Sequence, residues 1–323
     1  MNEKITLVMF FSFITTGIAL IFLASSISDE YEIDQNHSFF KQEFDPKLKK
    51  IFVFGSSHVG VLNSTLISNS ISNNYQNYEF YNLAVNADTP KGRSSVLTEI
   101  ISLEPSIIFY GISYRDLTCN CNLEEKEDLP GIHFNFNLIL DMFDSENKLK
   151  LKNIDPKSVT LRMFYGKLHE ILTINSGKSD IHYDGGSPFF IPTQGKIMNQ
   201  NELKRDAVYA QASILTVDSP SSNEQVLYLK KIIEELQEHN IEIVFFTTPL
   251  SSEYTSLLSS NTQDNFQEVL DELKLEFELD VYDFTHRYDD LSIWNDSAHV
   301  AYNLKSIIYT TDILNMIIFE IEK

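Results

Sequence analysis

Apolar positions along the chain fall into short unbroken runs separated by stretches of helical spacing. Ile51–Phe54 is apolar throughout, the pattern of a central parallel strand buried on both faces. Tyr78–Leu83, Ser106–Tyr110, Ile241–Phe246 and Asp280–Phe284 predict four further strands. Between the second and third, Val96, Leu97, Ile100, Ile101 and Leu103 predict a helix over Arg93–Leu103, stopped by Pro105. Val226, Leu229, Ile233 and Leu236 predict another helix, with Ser222 or Asn223 as N-cap. Phe266, Val269, Leu270 and Leu273 mark the next, and Asn303–Glu320 the last. Strands separated by helices imply an α/β fold whose parallel sheet is covered on both faces.

Two regions depart from this alternation. Ile5–Ile27 carries no charge and is long enough, at about 1.5 Å per residue, to cross a bilayer core as a helix. Residues 1–28 are therefore expected to be a transmembrane anchor. Lys4 precedes the run, and Asp29, Glu30, Glu32 and Asp34 follow it, so the main domain is expected on the extracytoplasmic side of a single-pass cell-membrane protein. A signal peptide cleaved near Ala24-Ser25-Ser26 is the alternative; the length of the run favours an uncleaved anchor. Residues 29–48 form an acidic linker, and 49–323 the α/β domain. The second departure is 118–220, expected to be an insertion that caps the core and includes a candidate helix at Leu161–Ile174.

Composition narrows the partners. The 323 residues suffice for a sizeable core, and 43% hydrophobic content is ordinary for a globular chain. A net charge of −21 argues against nucleic acid, whose phosphates such a surface repels. Cys119 and Cys121 lack the further ligands of a zinc site; a local disulfide and two free thiols both stay open. Asn36-His37-Ser38 and Asn63-Ser64-Thr65 are glycosylation patterns, relevant only in a cell with that machinery.

Candidate chemistry gathers just after strand ends, where ligand sites of parallel sheets lie. Ser57 follows the first strand in Gly55-Ser56-Ser57, and Asp296-Ser297-Ala298-His299 lies near the C-terminus. A serine hydroxyl needs a base to become a nucleophile; histidine titrates near neutrality, and a carboxylate on its other nitrogen fixes the tautomer. The three-residue offset from Asp296 to His299 can place both on one side of a loop or first helical turn. Each feature also has a bland reading. Ser57 can be a small turn residue, Asp296 an N-cap of the last helix, His286 a surface residue, and Arg115 with Asp116 an ordinary ion pair. The run His182–Pro188 reads as a turn rather than a metal site. His58 competes with His299 as base; His299 is preferred because it has a local carboxylate and because His58 would point away from its neighbour's hydroxyl.

These blocks resemble the SGNH (GDSL-type) hydrolases over about 49–117 and 221–320. Gly55-Ser56-Ser57 is similar to the first block, with Ser57 as nucleophile, and Asp296-Ser297-Ala298-His299 to the last. Asn82–Thr89 resembles the second block, with Ala87 in place of its glycine, and Gly111-Ile112-Ser113-Tyr114 the third, with Ser113 in place of its asparagine. The resemblance implies a flavodoxin-like three-layer α/β/α sandwich with a five-stranded parallel sheet. It also implies catalysis by Ser57, His299 and Asp296, and an oxyanion hole from the Ser57 and Ala87 N–H groups with Ser113. The implied substrate is an acyl ester or acylated polysaccharide of the cell envelope, cleaved by an esterase or moved by an O-acyltransferase. No metal or organic cofactor is required. Alanine can still donate its N–H but needs a compatible backbone, and a serine hydroxyl is shorter than an asparagine amide. Those two departures favour the alternative, a non-catalytic surface module that binds glycans or a partner protein.

Overall fold

A computed structural model describes residues 37–118, 187–192, 195–210 and 212–323, all within one unit built from Glu30–Cys119 and Tyr183–Lys323. The elements run β1 (Lys49–Phe54), α1 (Ser57–Gly60), α2 (Ser64–Asn74), β2 (Tyr78–Asn82), α3 (Pro90–Ser94), α4 (Leu97–Ser102) and β3 (Pro105–Ile112). Then come α5 (Gln200–Tyr209), α6 (Glu224–Glu238), β4 (Glu242–Thr247), α7 (Ser252–Thr255), α8 (Ser260–Phe277), β5 (Val281–Tyr282) and α9 (Ile307–Glu322). The five strands are parallel in the order β2-β1-β3-β4-β5. From β1 the chain steps to one side, then crosses to the other, so the strand order reverses between β1 and β3. In an open parallel sheet the crevice at that point is where ligands bind.

Side chains alternate across the strands and divide the core. Ile51, Val53, Ile107, Phe109, Val244 and Phe246 face Ile67 and Ile71 of α2 and Ile313 and Ile317 of α9. Phe52, Phe54, Ile108, Tyr110, Ile243 and Phe245 face Leu97 and Ile100 of α4, Val226, Leu229 and Ile233 of α6, and Val269 and Leu273 of α8. Both faces are thus covered by helices, giving three layers. Asn223 caps α6, accepting from the N–H groups of Gln225 and Val226.

Several boundaries differ from the sequence expectation for identifiable reasons. The helix expected over Arg93–Leu103 is broken at Ser95 and Val96. Ser94 and Ser95 hydroxyls donate to the carbonyls of Lys91 and Gly92, each at 2.7 Å, and compete with the helical ladder. The fifth strand is only two residues long. Beyond it the Thr247 hydroxyl accepts from Phe284 and Thr285 N–H and donates to Asp283, so side chains replace the sheet's bonds. The last helix starts at Ile307, preceded by a 3-10 turn at Leu304–Ser306 that Asn303 caps. Helices α1, α2 and α5 carry too few apolar residues for periodicity to reveal. Within the stretch expected to be an insertion, Leu203 packs on one core face and Ala207, Ala212 and Val217 on the other. Residues 119–186 of that stretch, with Cys119, Cys121, Leu161–Ile174 and His182–Gly186, lie outside the described residues, as does Ile5–Ile27. Among the described residues no helix is long and apolar enough to cross a membrane.

The link from β2 to α3 is fixed by a buried ion pair. Arg93 Nε donates to Asp88 at 3.0 Å, and Nη2 donates to the Leu83 carbonyl at 3.0 Å and also to Asp88. Its guanidinium carbon lies 4.5 Å from the centroid of the Phe54 ring. Both charged side chains are almost wholly enclosed. Breaking such a pair leaves one charge buried alone, so Arg93→Ala should lower unfolding free energy by about 3–5 kcal/mol in urea titration. A loss below about 1 kcal/mol would mean that Asp88 is neutral or reaches water without its partner.

Candidate active site

The turn after β1 is shaped by close approach of backbones. Gly55 has φ 142°, and a Cβ there would meet Val59 Cγ2 at 2.4 Å and the Gly111 carbonyl at 2.7 Å. Glycine at 55 therefore lets the end of β1 lie against the end of β3 and turn at once into α1. Ser57 occupies the first position of α1, where a backbone N–H has no intrahelical acceptor.

His299 reaches Ser57 from a different loop. Trp294 and Val300 form an isolated antiparallel bridge, and Asn295 N–H donates to the His299 carbonyl at 2.9 Å. Within that hairpin-like loop, Asp296 Oδ1 accepts from the N–H of Ala298 at 2.9 Å and of His299 at 2.8 Å. It also pairs with the imidazole Nδ1 at 2.9 Å. Because a carboxylate only accepts, Nδ1 carries the proton and Nε2 presents its lone pair. Nε2 lies 2.8 Å from Ser57 Oγ. The structure thus brings together Ser57, His299 and Asp296, whose order of contacts is that of a nucleophile, a base and an orienting acid. Asp296 and His299 are both partly open to solvent.

The loop is pinned from outside. Ser297 is buried, and its N–H and hydroxyl both donate to Asp206 of α5, at 2.8 and 2.7 Å. The Ser251 hydroxyl donates to the Ser297 carbonyl at 2.7 Å. Neither Asp206 nor Ser251 is legible as a site residue from sequence. Asp206 lies in a stretch without apolar period, and its partner is ninety-one positions away.

The two remaining candidates are placed differently. Ala87 is exposed at φ 53°, in the left-handed region that favours glycine, on a turn joined to the first strand by the Val85 N–H to Gly55 carbonyl bond of 3.0 Å. Ser113 is buried, and its N–H and hydroxyl both donate to Asp116 Oδ2, at 2.7 and 2.9 Å. Its hydroxyl proton is therefore engaged on Asp116. Asp116 is not the ion-pair partner of Arg115 that the sequence suggested as the bland case. It is buried while Arg115 is exposed, and burial pushes its carboxyl up to about 7 against the hydrogen bonds from Ser113 and Ser56. Asp296 does not cap the last helix. His286 pairs at the surface with Asp289, at 3.1 Å. Among the described residues no group of three His, Cys, Asp or Glu side chains could hold a metal ion.

No protein-family model matches the chain, and no curated protein matches it. Among solved structures, the chain is similar to one titled "Crystal Structure of TesA", at 9% identity and a TM-score of 0.41, over 82% of this chain and 99% of that one.

Burial alone would raise the Asp296 pKa; the His299 hydrogen bond and charge, with the two loop N–H groups, outweigh it and hold it at about 2. The folded-state value lies below the ordinary 3.8. Its contribution is therefore complete above that ordinary value and is lost as pH falls through about 2. The shift corresponds to about 2 kcal/mol. Urea unfolding of wild type and Asp296→Asn should show the stability gap shrinking by about that amount between about pH 5 and pH 2. A gap independent of pH would mean that Asp296 is not held as an ionised acceptor.

Proposed function

We propose that the protein is a serine hydrolase or O-acyltransferase acting on acyl esters. The contact of Ser57 Oγ with His299 Nε2, with Asp296 on the far nitrogen, carries this reading. As Ser57 Oγ attacks the ester carbonyl, its proton passes to His299 Nε2, and the imidazolium is held between Ser57 and the Asp296 carboxylate. The carbonyl oxygen becomes an oxyanion that the N–H groups of Ser57 and Ala87 receive; Ser113 joins them only by releasing Asp116. Collapse breaks the ester C–O bond, and His299 returns its proton to the departing alkoxide. The acyl group is then bonded to Ser57. Water or a sugar hydroxyl gives a proton to His299 and attacks the acyl carbon; the Ser57 C–O bond breaks and Ser57 Oγ takes that proton back from His299. Water makes the protein an esterase; a sugar hydroxyl makes it an acyltransferase.

We place the substrate among acylated glycans of the cell envelope, reached from a membrane anchor at Ile5–Ile27. That uncharged run and the family resemblance support the placement. One observation favours a second reading, a non-catalytic module of the same fold that binds glycans or a partner protein: Ser113 spends both of its donors on Asp116.

A fluorophosphonate probe separates the two. The full chain should label at Ser57. Labelling should vanish in Ser57→Ala, and its rate should fall roughly a thousandfold or more in His299→Ala. A folded wild type that neither labels nor hydrolyses short acyl esters would favour the binding module.

A further inference from the structure

Hydrogen bonds at the two nitrogens of an imidazole fix where those atoms point. They leave the ring free to tilt about the line joining them, unless something flat meets its face. For His299 that surface is His58. The two rings are stacked, with centroids 4.4 Å apart and planes 16° from parallel. His58 lies one residue beyond the nucleophile, in α1, and is 4% exposed.

His58 is itself held by a chain of polar groups, of which only Ser113 has a conditional part in the proposed reaction. Its Nδ1 lies 2.9 Å from Ser56 Oγ. Ser56 is hydrogen-bonded in turn to Asp116, the buried carboxylate that also takes both donors of Ser113. With the Ser56 hydroxyl donating to the ionised Asp116, its lone pair accepts from His58 Nδ1–H, which places a proton on Nδ1. Its Nε2 is buried and has no hydrogen-bond partner among the described residues.

We propose that His58 is a positioning residue for the base: anchored through Ser56 to Asp116, it offers His299 a flat neutral face that keeps Nε2 aimed at Ser57 Oγ. The proposal rests on His299 acting as base. Charge is consistent with it. Burial first, then the charges of His299 and Arg115, push His58 well below the ordinary histidine range, against a smaller upward pull from Asp296. When His299 takes the serine proton, its stacking partner therefore carries no like charge. Ser113 and Asp116 acquire a purpose here too: they terminate the chain that orients His58.

Three substitutions separate the ring face from the hydrogen bond. His58→Phe keeps a flat ring and discards the bond to Ser56, His58→Gln keeps a donor and discards the ring, and His58→Ala discards both. Misaligning a reacting group by about 1 Å costs up to about a hundredfold, so kcat on a short acyl ester should fall roughly 30-fold or more in His58→Gln and His58→Ala. KM should stay within about twofold, and His58→Phe should remain within about fivefold of wild type in kcat. An activity-independent readout accompanies the rates. The His299 Nδ1–H bonded to Asp296 should give a slowly exchanging downfield proton resonance in wild type and His58→Phe, lost or broadened in His58→Gln. A folded His58→Gln with wild-type kcat and an unchanged resonance overturns the proposal, as does a folded His58→Phe no better than His58→Ala. If wild type fails to label with fluorophosphonate while the resonance still depends on the ring at 58, the enzymatic reading fails and the positioning role stands.

Discussion

One carboxylate oxygen, Oδ1 of Asp296, does two jobs that cannot be separated. It gathers two backbone N–H groups and so folds the loop on which His299 sits. It also takes the imidazole N–H and so decides which nitrogen faces Ser57. The same interaction therefore sets the backbone, the tautomer and the direction of the His299 imidazole. Everything around it serves to keep that loop in place: Asp206 holds Ser297 by two bonds, Ser251 holds the Ser297 carbonyl, and the Trp294–Val300 bridge closes the ring. Charge-assisted bonds to an ionised acceptor are stronger than neutral ones, and here they converge on a single atom.

Much of the fold was legible because its strands are buried on both faces. Ile51–Phe54 and Ile243–Phe246 stand out as apolar runs, and α6 and α8 as helical stripes, since burial dictates residue type there. Elements held by polar side chains were not legible. α2 is rich in serine and asparagine and is anchored by only a few apolar residues. β5 ends early because Thr247 and Asp283 take over the backbone's partners. Ser57, Asp296 and His299 could be named because their sequence neighbours, a strand-end turn and a three-residue carboxylate–imidazole offset, are distinctive. Ser56, His58 and Asp116 could not be assembled the same way, since each looks like an ordinary turn or helix residue until the sheet aligns the ends of β1 and β3.

Ala87 and Ser113 have different structural settings. Ala87 keeps the backbone conformation of a glycine at the expense of some strain, so the N–H stays where that conformation puts it. Ser113 keeps its place but turns its donors inward, to Asp116. One position preserves geometry without the usual residue. The other gives its hydrogen bonds to a network behind the cleft, where Ser56 and His58 also belong.

The separation of 242 positions from Ser57 to His299 bears on the protein's biosynthesis. At about 5–20 residues per second, roughly 12–50 s separate synthesis of the serine from synthesis of its base. Throughout that interval the Ser57 hydroxyl lacks its His299 partner. The supports of the base, from Asp206 through Ser251 to Trp294, also emerge late. The contact between Ser57 and His299 therefore forms only at the end of synthesis, after most of the sheet has been made.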